Sequence, residues 1–440
     1  MAAASIPILL LTCGLALAKP KFGEFRIRQG IAGTVGALLT LVVGAVSLEQ
    51  FTNTLRFLFA PVVTIVSLMA VTLVAEQTGL FRRLASQIAM RAGGDGRKLF
   101  TYIFIIGTAT GTVFTNDAAV LIFTPLVWRL IEDVSGNDWT EANKVPFYFA
   151  VLYVANLVGA LLISNPINIV VANLFAISFV EYARWMILPA VASMLVTYFG
   201  LRLFFRRDLP ETYALDRVIS SEAASADQLI SQRVIAAILG LTLIAFFAAN
   251  WMGLPFWKIA ALDACLALLA TAPLRVVCPK AVMRGIGWDV ILFMSGMFVI
   301  AVGLRNAGLT TVLQNALRTL GGASLNGMSF VAALLSGAMS SVINNHPTAD
   351  IMGLTIRDMT FAAGPQVNKF LALSALIGGD LGPKMLPIGS LAAMMWFRLL
   401  NDKGVRIRYG QYIGIGIPLT LAAIVSSVLV LLAEVKFLTN

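Results

Sequence analysis

Phe114-Thr115-Asn116-Asp117-Ala118-Ala119 sets a polar tip between two stretches apolar enough for a lipid bilayer. A second tip lies at Ile343-Asn344-Asn345-His346-Pro347-Thr348, where Asn345 stands 229 residues beyond Asn116. The same offset carries Gly79 of Gln77-Thr78-Gly79-Leu80-Phe81 onto Gly308 of Asn306-Ala307-Gly308-Leu309-Thr310. One spacing that serves two separate landmarks marks an internal repeat, so the chain reads as two related halves.

The first tip interrupts an apolar run over 99–131, leaving arms of 16 and 14 residues. A full crossing needs ~20 residues at ~1.5 Å each, so these arms predict a re-entrant hairpin that reaches mid-membrane and returns. Non-helical backbone at that depth is tolerated only inside protein or beside a water-filled cavity, and the tip is therefore expected to line a site. The second tip predicts a matching hairpin over 324–362. Two further apolar runs carry polar breaks. One, 146–176, is broken at Ser164-Asn165-Pro166-Ile167-Asn168; the other, 367–397, at Asp380-Leu381-Gly382-Pro383-Lys384 and Pro387-Ile388-Gly389-Ser390.

Composition agrees with this setting. Of 440 residues, 59% are hydrophobic and 12% charged, with a mean hydropathy of +0.87, which is more apolar surface than a soluble core buries. Whole spans are expected at about 3–18, 30–47, 55–76, 180–204, 233–252, 256–273, 288–305 and 409–434. Residues 3–18 end in Ala16-Leu17-Ala18, like a signal peptide, but no basic segment precedes them; a retained span is expected. Amphipathic segments at 78–92 and 308–320 complete the halves. The fold class is thus an all-α polytopic membrane protein of ten crossings, with two re-entrant hairpins and two broken helices. Its units are an N-terminal repeat (1–205), a polar cytoplasmic linker (206–232) and a C-terminal repeat (233–440).

The net charge of +10 does not indicate nucleic acid, because the 32 Lys and Arg fall in short loops between apolar runs. In this arrangement 23 of them lie on the cytoplasmic side and 8 outside, and Lys384 is left inside a helix break. That bias places the linker in the cytoplasm of a cell inner membrane and both termini outside, with the two halves in opposite orientations. Three cysteines (Cys13, Cys265, Cys278) form no CxxC, and one histidine is too few for a zinc hydrolase. Neither a cofactor nor a metal is expected. Phosphate-cradling motifs are absent, so energy must come from an ion gradient or a partner protein. Ile377-Gly378-Gly379-Asp380 lacks the first glycine and the second aspartate motif of an intramembrane protease, which argues against an enzyme.

Four interruptions therefore converge near the midplane. Half-helix ends offer unpaired N–H and C=O groups beside amides and hydroxyls, a lining suited to a small, neutral, polyhydroxylated solute. Thr115, Asn116, Ser164, Asn165, Asn168, Asn344, Asn345, Gly389 and Ser390 are the expected substrate ligands. Intramembrane charges are costly and usually work, which marks Asp117, Asp380 and Lys384 for proton coupling. A tip-capping carboxylate remains open for Asp117, a helix cap for Asp380, and a counter-charge role for Lys384. His346 either titrates or hydrogen-bonds within its tip. Asp263 and Glu76 are expected near the membrane faces.

At these positions the chain resembles the ArsB-type arsenite and antimonite efflux transporters of the ion transporter superfamily. The resemblance rests on Phe114 with Asn116-Asp117 and Ala119, on Arg305 through Thr310, on Asn344-Asn345 with Pro347-Thr348, and on Asp380 through Lys384 with Pro387 through Leu391. His346 departs from it. The resemblance implies export of As(OH)3 or Sb(OH)3 in exchange for protons, sometimes assisted by an ArsA-type ATPase, on a scaffold and a transport domain. Thiol binding is not expected, because Cys265 and Cys278 point toward opposite faces. A sodium-coupled dicarboxylate or sodium/proton transporter shares the architecture, whereas a passive channel would not need paired broken helices. Lys384 in a coupling-cation position argues against sodium.

Overall fold

The structure is a computed structural model that describes all residues except 1–3, 19, 23–24, 115, 137–138, 214–225, 272, 274–275, 362–363, 365, 390 and 440. Its helices run α1 (Ser5–Ala18), α2 (Gln29–Val42), α3 (Leu48–Gln77), α4 (Leu80–Ala92), α5 (Gly96–Val113), α6 (Asn116–Ser135), α7 (Glu141–Val154), α8 (Pro166–Leu174) and α9 (Phe179–Phe204). They continue as α10 (Ala226–Met252), α11 (Phe256–Thr271), α12 (Pro279–Gly285), α13 (Trp288–Asn306), α14 (Leu309–Gly321), α15 (Leu325–Ile343), α16 (Asn345–Arg357), α17 (Gln366–Leu381), α18 (Leu391–Asp402) and α19 (Tyr409–Thr439). A two-stranded antiparallel ribbon, β1 (Lys21–Phe22) with β2 (Phe25–Arg26), joins α1 to α2 and is the one non-helical pairing of any length among the described residues. The all-α membrane architecture is otherwise as expected.

Among the described residues, six helical stretches are long and apolar enough to cross a bilayer: Leu48–Gln77, Phe179–Phe204, Asp227–Ala249, Pro279–Asn306, Leu325–Ile343 and Tyr409–Phe437. The expected spans at 3–18 and 30–47 appear as helices of 14 residues each, and 256–273 as one of 16. At ~1.5 Å per residue these cover only ~21–24 Å of a ~30 Å core.

The spacing of 229 recurs in the observed boundaries. α4 and α14 both have 13 residues, start at Leu80 and Leu309, and are preceded by left-handed glycines, Gly79 at φ 78° and Gly308 at φ 84°. α5 and α15 start at Gly96 and Leu325 behind capping side chains: Asp95 accepts from Lys98 N–H and Ser324 from Gly327 N–H. α6 and α16 start at Asn116 and Asn345.

Three boundaries differ from expectation. The arms of the first hairpin are longer, at 18 and 20 residues, because the cap at Asp95 extends α5 through the polar Gly96-Arg97-Lys98 and α6 continues to Ser135. The linker ends sooner: α10 begins at Ala226 rather than 233, since Gln228-Leu229-Ile230-Ser231-Gln232 carries no breaker and Asp227 favours a first turn. Up to Tyr213 the linker is tied down, with Tyr213 N–H donating to Gly94 O at 2.8 Å, Gly96 N–H to Glu211 O at 3.0 Å and Trp139 Nε1 to Thr212 O at 3.0 Å.

The third difference matters most. α7 ends at Val154, ten residues before Ser164, and 155–165 runs as turn, bend and a short 3-10 turn at Leu162–Ser164. Pro166 does not break a helix here. It occupies the first turn of α8, where its missing N–H costs nothing, behind Asn165 as N-cap.

Two tight seams organise the packing. α2 lies backbone to backbone on α13, where a Cβ on Gly296 would strike the Gly33 carbonyl; α15 lies likewise on α17, where one on Gly378 would strike the Ala333 carbonyl. α9 and α19 pair through Ser427 Oγ donating to Pro189 O at 2.9 Å, and α7 meets α18 through Trp396 Nε1 donating to Tyr148 O at 3.1 Å.

Candidate transport site

The unwound stretch after α7 buries backbone that no helix satisfies. Its partners come from elsewhere, as buried polar groups require. Val158 N–H donates to Ser193 Oγ of α9 at 3.4 Å, and Gly159 C=O accepts from Tyr182 Oη at 3.1 Å. Gly159 N–H donates to Asp380 Oδ2 of α17 at 3.1 Å. The other Asp380 oxygen accepts from Asn165 Nδ2 at 2.6 Å. One carboxyl group in the second half thus joins both sides of the break in the first.

Gly159 admits no side chain, since a Cβ there would strike Ser164 Oγ and Asn168 Nδ2. Ser164 Oγ donates to Leu161 O at 2.7 Å, which holds the 3-10 turn. Asn168 is 0% exposed and its amide, set toward the Asp380 carboxyl, makes no well-formed hydrogen bond. Beside these residues lies a cavity of about 150 Å³, lined among others by Thr108 and Thr112 of α5, by Gly159 and by Ser164. It has room for several waters at roughly 10–15 Å³ each.

In the second break, Lys384 is 1% exposed, its Nζ makes no hydrogen bond, and it lies 5.2 Å from the Tyr153 ring centroid. The ring face supplies the cation's partner in place of a contact with Asp380. Gly389 packs against Ser341 of α15, 2.6 Å from its carbonyl to a Cβ position, so it serves close packing. Asn344 sits at φ 82° and caps α16: its Oδ1 accepts from His346 N–H at 3.3 Å, and its carbonyl accepts from Thr348 Oγ1 at 2.8 Å. Asn345 opens α16 half-buried, whereas His346 is buried edge-on to Phe293 with Nδ1 unpartnered. Asp350, one turn further, is also buried with an orphan oxygen. Thr115 and Ser390, and the side chains of Asn116 and Asp117, lie outside the described residues.

Ser164, Asn165, Asn168 and Asp380 therefore come together, with Lys384 in the same break. The second tip reaches this region through α16, whose Gly353 faces Val171 and Leu174 of α8. Sequence reasoning missed Gly159, Tyr182, Tyr153 and Asp350. Only Asp350, an acid within an apolar helix, carried a legible signal.

A family model for the arsenical pump membrane protein, ArsB, matches residues 4–434. The chain belongs to the ArsB family. An arsenical pump membrane protein of Escherichia coli is 32% identical over 431 residues, covering 98% of both chains, and one of Yersinia enterocolitica is 31% identical over 94% of each. Among solved structures, the YdaH transporter of Alcanivorax borkumensis aligns over 99% of this chain and 98% of its own with a TM-score of 0.57 at 15% identity. Neisseria gonorrhoeae MtrF, from a class of antimetabolite efflux pumps, aligns over 98% and 94% with a TM-score of 0.55 at 13% identity. At such identities these two share only the ArsB family member's fold, that of a multi-pass membrane transporter.

Proposed function

We propose that this ArsB-family chain exports arsenite and antimonite as neutral As(OH)3 and Sb(OH)3, in exchange for inward protons, by alternating access between two inverted repeats of five crossings each. The observation that carries this reading is Asn168, a buried amide without a well-formed hydrogen bond, packed against Gly159 and Ser164 where they border the cavity. A trihydroxide offers both O–H donors and oxygen acceptors, which is what such an amide lacks. Ser164, Thr108, Thr112 and the Gly159 backbone supply further neutral partners. Asn116, Asn165, Asn344 and Asn345 complete the lining in other states of the cycle.

Asp117 on the first tip carries the exchanged proton, while Asp380 and Lys384 hold the two breaks in register and respond to it. Each proton entering down the membrane potential supplies ~2.3 kcal/mol per 100 mV when the substrate is uncharged. An ArsA-type ATPase docking on the cytoplasmic linker is compatible with this arrangement. Uptake of arsenite into everted vesicles tests the reading. Uncoupler-sensitive, sodium-independent uptake that antimonite inhibits and succinate does not is expected, and Asp117→Asn abolishes its proton dependence. Sodium-dependent uptake, or competition by succinate, overturns it.

A further inference from the structure

Outside that site, α11 carries a second sealed carboxyl group. Asp263 is 4% exposed at the centre of the helix; Thr242 of α10 donates to its Oδ1, and its Oδ2 is buried with no partner. Its sequence position suggested the outer interface; the structure buries it between helices. It borders a gap of about 10 Å³ closed by Leu68 and Val71 of α3, Phe246 of α10, Phe114 at the end of α5, and Ile163 of the first break. That gap is about the ~10–15 Å³ that one water needs.

Among the described residues, no charged group other than Asp263 itself borders this gap. The ionisable residues of α3 (Glu49, Arg56, Glu76) and of α10 (Asp227, Arg233) are not among its walls, and Lys258 of α11 lies over Trp257. Asp117 is the next acid along the tip from Phe114. An ionised carboxylate with one hydroxyl donor and no cation is costly in such a place, whereas a neutral acid is not. Phe246 is also a wall of a larger cavity of about 290 Å³, together with Leu162, the neighbour of Ile163, and Leu254 and Pro255 at the α10–α11 turn. Phe246 is therefore a wall shared by the gap at Asp263 and a chamber at the turn that the charge bias places outside.

We propose that Asp263 is a proton-binding site of the exchange cycle, loaded from the chamber at the α10–α11 turn past Phe246 and sealed by Phe114 and Ile163. The inference rests on the proton-exchange reading above. Closing the tip and the first break over a neutral acid is favoured over closing them on an anion, so protonation at Oδ2 is linked to the packed arrangement. Withdrawal of Phe114 and Ile163 admits water and releases the proton.

Asp263→Asn keeps an acceptor for Thr242 and cannot titrate, so it is compared with wild type in proteoliposomes. Arsenite accumulation driven by an imposed pH gradient should fall by about tenfold, while arsenite counterflow without a gradient stays within about twofold, as a lost coupling term requires. The infrared difference spectrum between pH values should lose one protonated-carboxyl band. Undiminished gradient-driven accumulation, or an unchanged carboxyl band, overturns the proposal. Loss of counterflow together with a lowered unfolding temperature also overturns it and leaves Asp263 a packing role. A wild type that accumulates no arsenite removes the exchange reading and this proposal with it, whereas an active wild type with a fully coupled Asp263→Asn removes this proposal alone.

Discussion

Gly159 and Asp380 form one of the contacts that join the two halves at the site. Because a Cβ on Gly159 meets Ser164 and Asn168 at once, Gly159→Ala forces the break apart. It should lower stability by about 1–3 kcal/mol and abolish arsenite transport, measured by thermal unfolding in detergent and by vesicle uptake. Asp380→Ala strands two buried donors, Gly159 N–H and Asn165 Nδ2, at a cost of about 1–3 kcal/mol. Asp380→Asn retains an amide oxygen for one of them and should unfold closer to wild type, yet transport as poorly, because the charge is gone. Equal unfolding temperatures for the two variants would show that the hydrogen bonds contribute nothing.

At the scale of elements, the polar tips were the most readable feature, and the caps and the unwound break the least. Asp95 caps α5 by accepting from Lys98 N–H at 2.9 Å, and that bond holds its carboxyl below the ordinary value of 3.8. A folded value depressed in this way adds stability above the unfolded value and loses it as pH falls through the folded one. Asp95→Asn should therefore flatten the change in unfolding temperature between about pH 5 and about pH 3, slightly, since the side chain is largely exposed. The polar tips, the amphipathic helices and the repeat offset all follow from local patterns in the chain. The unwinding at Ala155–Asn165 does not. Apart from Asn156, Ser164 and Asn165 its residues are apolar or glycine, and what lets the helix stop is the arrival of Ser193, Tyr182 and Asp380 from distant segments to satisfy freed backbone. Pro166 misled for the same reason: a proline that starts a helix and one that ends it look alike until the N-cap is seen.

For the whole molecule, the cysteines give a direct check. Cys13 is buried with its Sγ toward the Ile343 carbonyl at 3.9 Å, and Cys265 and Cys278 are exposed, so no three thiols are available to one arsenic atom. A variant with all three replaced by serine or alanine should transport arsenite at rates within about twofold of wild type, and loss of uptake with normal folding would point to thiol ligation. The seams of α2 on α13 and of α15 on α17 bear on how any such rate is set. Main chains in direct touch have no side-chain cushion to compress, so each pair behaves as a single stiff plank. Whatever rocking the carrier performs must be absorbed outside the planks, as where Phe293 of α13 meets His346 of α16, and engineered bridges across a seam should leave turnover intact while bridges from one plank to the other arrest it.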